Sequence, residues 1–236
     1  SEYERRQQIE AELLSDSNAI YHHEFHEVAS MSHHFKLDRH GGQQFNIAID
    51  WGGHYHALLI AYDPATDTDT VIDEFIATGC QDDQFCQQIV DGCRSHWGIG
   101  PGDINEVVVD YNPRSACHTS YRFWRGKVKH RRVRDNEDRW SRINTTRWRL
   151  QEAATGRRRL FFHTGLRSTK SNRGVLRCLA NYALAERWVQ GERVAIDRPI
   201  QDSPYSHAMD AIGLYNWIRY SHLRVIHDRR AVGVAA

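Results

Sequence analysis

Two apolar runs of strand character, FNIAIDW at residues 45–51 and HYHALLIAYD at 54–63, stand on either side of Gly52 and Gly53. Such a pair about a two-glycine turn reads as an antiparallel hairpin. TVIDEFIAT follows as a third strand. Residues 82–97 then repeat apolar positions at helical spacing, with Phe85, Ile89, Val90 and Cys93 on one face. A short buried strand is expected at 106–110, and Asn112–Pro113 supplies an N-cap and an N1 proline for a helix reaching about Trp124. Beyond it, VKHRRVR reads as a strand, 144–154 as a helix, RLFFH as a short strand, 172–189 as a helix and 205–220 as a final core helix. Three successive strands, then alternation, then helices describe an α/β chain with a mixed sheet flanked by helices. Residues 1–42 fit this pattern poorly: a charged helix-like start and a histidine-rich stretch end at Gly41–Gly42, as in a lead-in arm, with the domain proper at 43–236.

The 236 residues suffice for one such core. No run approaches the roughly 18 apolar residues of a membrane span, and the polar, charged N-terminus does not resemble a signal peptide. The expectation is an intracellular protein without a membrane partner. Five cysteines without a C-x-x-C pair point to reduced, mostly buried thiols rather than a disulfide framework or a zinc ribbon. Fifteen histidines scatter along the chain, and none of them spells H-E-x-x-H.

Net charge is only +1, but it is segregated. Residues 114–193 hold 21 Lys and Arg against 6 Asp and Glu, and the rest of the chain 10 against 24. A basic middle between acidic flanks suits a polyanion-binding surface beside a cation-binding carboxylate cluster; a solvated basic face is the plainer alternative.

Three aspartates sit in apolar surroundings. Asp50 closes the run 45–49, Asp110 closes 107–109, and Asp210 interrupts the near-apolar segment 208–218. A carboxylate there is costly to desolvate unless something compensates it, and a divalent cation does so directly. Taken singly, Asp50 could shape its turn, Asp110 could cap one, and Asp210 could pair with an arginine. If the first and fourth strands are adjacent and parallel, Asp50 and Asp110 emerge together at the sheet edge where α/β folds bind ligands. Asp210 shares a helical stripe with Leu214 and Trp217, which turns it toward the core. His207, three residues earlier, shares that face and is a possible auxiliary group, or a helix-start packing residue. Asp202 could add an acid, or belong to the helix-entry turn Asp202–Ser203–Pro204.

FNIAIDWGG, EVVVDYNPR and the block from RRLFFHT to SHAMDAIGLYNWI resemble the nuclease domain of the phage large terminase subunit, over residues 45–220. The resemblance implies an RNase H-like fold, with the first three strands antiparallel and the fourth and fifth parallel to the first. It implies that Asp50, Asp110 and Asp210 are catalytic acids holding two divalent ions, Mg2+ or Mn2+, with Asp50 bridging them. It also implies double-stranded DNA as substrate, cut with little sequence preference during viral genome packaging in the host cytoplasm. The implied partners are an N-terminal ATPase domain, the portal and the small terminase subunit. No G-x-x-x-x-G-K-[ST] loop occurs in these residues, so the ATPase would lie elsewhere.

Phosphate contacts would come from Arg122, Arg125, Lys127, Lys129, Arg131, Arg132 and Arg134, with Arg157, Arg158, Arg159, Arg167, Lys170 and Arg173 as a second patch. Trp124, Trp140 and Trp148 could stack on bases, though core packing suits them better. The rival functions are another RNase H-like nuclease such as a junction resolvase or transposase core, an actin- or sugar-kinase-like phosphotransferase using Asp50–Trp51–Gly52–Gly53, and a non-catalytic DNA- or portal-docking module.

Overall fold

A computed structural model describes residues 19–21, 23–32, 35–38, 41–51, 54–111, 116–134, 139–152, 157–168, 173–189, 192–200 and 203–232. In chain order its elements are α1 (Glu27–Ser30), β1 (Met31–Ser32), β2 (Gln44–Trp51), β3 (Tyr55–Asp63), β4 (Thr68–Ala77), α2 (Asp82–Trp97), β5 (Ile104–Tyr111), α3 (Ala116–Trp124), β6 (Lys129–Arg134), α4 (Arg139–Leu150), β7 (Leu160–His163), α5 (Val175–Asn181), β8 (Leu184–Val189), β9 (Glu192–Pro199) and α6 (Ser206–Val232). Two 3-10 turns, Pro101–Asp103 and Thr164–Ser168, join them. The expected turn at Gly52–Gly53, the helix start at Asn112–Pro113 and the helix-like pattern at 1–14 lie outside the described residues.

Seven strands form one mixed sheet in the order β1-β7-β4-β3-β2-β5-β6. β3 pairs antiparallel with both β2 and β4, while β5 pairs parallel to β2 and β6 parallel to β5. This is the RNase H-like arrangement. Trp51 is registered with Tyr55, so three residues rather than the expected two connect β2 to β3.

β2 is buried along seven of its eight residues because helices cover both sheet faces. Ala48, Leu58, Ile60 and Val108 pack with Ile143 of α4, Val175 of α5 and Ile212 of α6. Ile47, Ile49, Val107 and Val109 pack on the other face with Phe85 and Ile89 of α2 and Trp124. Trp124 is fully buried, and Trp140 and Trp148 are partly buried against the core, the packing role favoured from sequence. α2 stops where Gly98 turns left-handed at φ 61° and its N–H closes on Arg94 O, a conformation glycine adopts without strain.

The helix expected over 172–189 is corrected. α5 ends at Asn181, and Leu184–Val189 pairs with Glu192–Pro199 as a separate hairpin. Leu, Ala, Glu and Arg favour helix in this stretch, but tertiary contacts override that preference. Tyr182 is buried and stacks on Tyr21 at 6.2 Å, its carbonyl accepts the Ile20 N–H, and Ala183 bridges Ala19. The helix expected at 144–154 spans Arg139–Leu150 instead, and the last helix continues past 220 to Val232.

α4 and α6 are tied to the sheet by a buried polar knot. The Asp69 carboxylate accepts from Tyr215 Oη and Tyr220 Oη at 2.7 Å each, and from Arg149 Nη2 at 2.8 Å. Asp69 and the Arg149 side chain are fully buried. No described helix is long and apolar enough to cross a membrane.

Candidate active site

Period-two alternation decides which way the acids of β2 and β5 face. Asp50 shares the face of Ala48 and Asp110 that of Val108, the side covered by α4, α5 and α6. Ile49 is registered with Val109. The acids are therefore the next residues along neighbouring parallel strands, which lie about 4.8 Å apart.

α6 crosses that face against β2, β3 and β5, and its first turns bring His207 and Asp210 over the strand ends. His207 Nδ1 lies 2.7 Å from Asp50 Oδ2, with both side chains less than one-tenth exposed. A carboxylate oxygen accepts, so Nδ1–H is the donor of this bond. Asp210 is pushed up to about 7, by burial first and by the negative charge of Asp50 next; Arg139 and Arg142 pull it back, and Asp110 adds to the push. Asp50 and Asp110 thus both act on Asp210.

α4 supplies two residues that sequence reading left unassigned. Arg139 Nη2 is 3.5 Å from Asp210 Oδ2, and Arg142 Nη1 is 3.8 Å from Asp110 Oδ2. The available signal was their i, i+3 spacing beside Ile143, in a segment read only as basic. His54 was missed as well: its Nδ1 accepts from Arg173 Nη1 at 2.6 Å, and its ring stands edge-on to His207 at 5.7 Å. His54 is held below its usual value, by burial first and by the Arg173 charge next. Glu74 fixes the neighbouring helix: its Oε2 accepts the Val175 N–H at 2.7 Å and lies 3.4 Å from His56 Nε2.

The donor set suits a hard cation. Oxygen is the ligand class that Mg2+ and Mn2+ favour, and the burial and repulsion that raise Asp210 are what a divalent charge would offset. Among the described residues, no three His, Cys, Asp or Glu side chains already close on one point as a metal cage. Asp110 and Asp210 lean on the arginines of α4 instead.

The basic residues divide between the two ends of the sheet. β6 runs parallel to β5, so Val133 neighbours Asp110 and Arg134 neighbours Tyr111, while Lys129 pairs with Glu106 at the far end. Lys129 Nζ and Arg131 Nε reach the Glu106 carboxylate at 3.4 and 2.7 Å. Arg132 stacks over Tyr121 and Lys127 over Phe123; Arg122 and Arg125 are exposed. Arg157, Arg158 and Arg159 precede Leu160, which is registered with Asp69 near the start of β4, at the end opposite Asp50. There Arg158 Nη1 donates to the carbonyls of Glu24 and Leu150, and Arg159 Nε lies 3.7 Å from Asp67 Oδ2. Among the described side chains of that second patch, Arg173 is linked to the Asp50 end through His54 and His207. Lys170 and Asp202 lie outside the described residues, as do the side chains of Arg134 and Arg167.

No protein-family model and no curated protein matches this sequence. Among solved structures, the chain is similar to the nuclease domain of the P22 large terminase at 12% identity and a TM-score of 0.59, over 87% of this chain and 94% of that one. It is also similar to the large terminase of a thermophilic bacteriophage at 13% identity and a TM-score of 0.58, over 84% of this chain and 44% of that protein. The chain thus spans less than half of the length of that larger protein, and the likeness establishes a shared fold.

Proposed function

We propose that this chain is the nuclease portion of a viral DNA-packaging enzyme, hydrolysing phosphodiester bonds of double-stranded DNA with little sequence preference. The observation that supports it best is the meeting of Asp50 and Asp110, on adjacent parallel strand ends, with Asp210 of α6 above them, in a fold like that of the P22 large terminase nuclease domain. An ATPase domain, the portal and a small terminase subunit are the proposed partners, and the host cytoplasm the proposed place of action. Residues 43–236 are the proposed nuclease domain, with 1–42 as the arm leading into it.

Asp50, Asp110 and Asp210 would hold two divalent ions, Mg2+ or Mn2+. When bound, such ions lower the pKa of a water and offset charge on the phosphate. Asp50 is oriented by His207, whose Nδ1–H would hold the carboxylate in place for a metal while Nε2 faces away from it. Arg173 stands behind His54 at the rim of the same end and would meet backbone phosphate without reading bases. The products would be 5′-phosphate and 3′-hydroxyl ends.

The test is nicking of supercoiled plasmid with Mn2+, Mg2+ or EDTA, alongside Asp50→Asn and Asp210→Asn. Metal-dependent nicking that both substitutions abolish is expected. Nicking in EDTA, or full activity in both variants, would overturn the proposal.

A further inference from the structure

We infer that Arg139 and Arg142 form an internal counter-ion latch that competes with a divalent cation for Asp210 and Asp110. The inference rests on the proposed reading of the three aspartates as metal ligands.

The two arginines are one turn apart on α4 and meet two different acids, one on α6 and one on β5. Their separations of 3.5 and 3.8 Å exceed the roughly 2.7–2.9 Å of a charge-assisted hydrogen bond. At these lengths the two contacts supply opposite charge with little of the directional strength of a tight pair, as an exchangeable counter-ion should. The Arg142 side chain is 5% exposed, and its Nε and Nη2 have no hydrogen-bond partner among the described residues. A guanidinium does not shed its proton, and burying it with unspent donors is costly unless neighbouring carboxylates require the charge. Asp110 beside it, and Asp210, which both Asp50 and Asp110 repel, provide that requirement.

The approach of α4 is built into α6. A Cβ added at Gly213, three residues after Asp210, would lie 3.3 Å from Arg142 Cβ, so the glycine lets the helices close until the guanidinium reaches Asp110. Arg139 is 29% exposed and Arg142 only 5%. Arg142 can leave only by a shift of α4 or its own rotamer. A cation entering between the acids meets two positive charges already in place, and binds more weakly for it.

Mn2+ binding without DNA, followed by the loss of the free-ion EPR signal, tests this on the wild type, Arg139→Gln, Arg142→Gln and Arg139→Lys. Removing a unit charge a few ångströms from a divalent ion should tighten Mn2+ binding about tenfold or more in each Gln variant, because Coulomb energies at that range are large. Arg139→Lys should bind as the wild type does. Mn2+ affinity that is unchanged or weaker in the Gln variants overturns the latch. Should Arg142→Gln lose its cooperative melt, Arg139→Gln decides alone. If the wild type binds Mn2+ and nicks plasmid while the Gln variants bind no tighter, only the latch fails. If no form binds Mn2+ or nicks plasmid, the reading of the aspartates fails and the latch with it.

Discussion

His207 Nδ1 lies 2.7 Å from Asp50 Oδ2 across the contact between α6 and the end of β2, and both side chains are buried. This bond joins residues 157 positions apart and fixes the orientation of the acid at the centre of the site. His207→Ala is expected to lower the nicking rate about 10- to 100-fold, the usual cost of losing a group that orients a ligand. Duplex affinity should hardly change, and His207→Gln should recover part of the rate. Wild-type nicking by His207→Ala would remove the residue from the machinery.

The buried knot at Asp69 has a different consequence. Arg149→Met leaves the Asp69 carboxylate, fully buried, with two tyrosine hydroxyls and without the guanidinium bonded to it, only the charge of Arg219 still acting on it. Breaking a buried pair on one side costs about 3–5 kcal/mol, so the urea midpoint should fall markedly. A change below about 1 kcal/mol would show that the hydroxyls suffice, since the loss of an exposed pair is of that order.

His130 makes stability depend on pH. Burial first, and the charge of Arg132 next, push it down to about 4, below the roughly 6.5 of an unfolded histidine. Between those values the unfolded chain binds the extra proton, so this residue's contribution to stability is complete above about pH 6.5 and is lost as pH falls toward 4. The urea midpoint of the wild type should drop more steeply through that window than that of His130→Gln. Parallel profiles would contradict the assignment.

DNA binding should distinguish the two ends of the sheet. Arg173 stands beside His54 and His207, whereas Arg157 lies at the opposite end. Arg173→Ala should weaken duplex binding and flatten the plot of log affinity against log salt by about 0.9 for each phosphate that the side chain no longer neutralises. Arg157→Ala should leave the slope as it was. Equal effects from both would mean that the duplex runs along the sheet rather than across its acid end.

The local pattern in this chain determined the strands and the acids. FNIAIDW and EVVVD are apolar runs closed by Asp50 and Asp110, and strand parity carries each side chain to one face of the sheet without help from distant residues. Tertiary structure decided the rest. The register of Ile49 with Val109 sets the two acids side by side, and the contact of α4 with α6 at Gly213 brings Arg142 to Asp110. The burial of Tyr182 turns a helix-favouring stretch into a hairpin. The patch 157–159 and Arg173, neighbours in sequence, separate because β7 and α5 place them at opposite ends of the sheet. Propensity and period act over a few residues, whereas charge compensation and register depend on which elements pack together, and that is fixed only once the sheet has assembled.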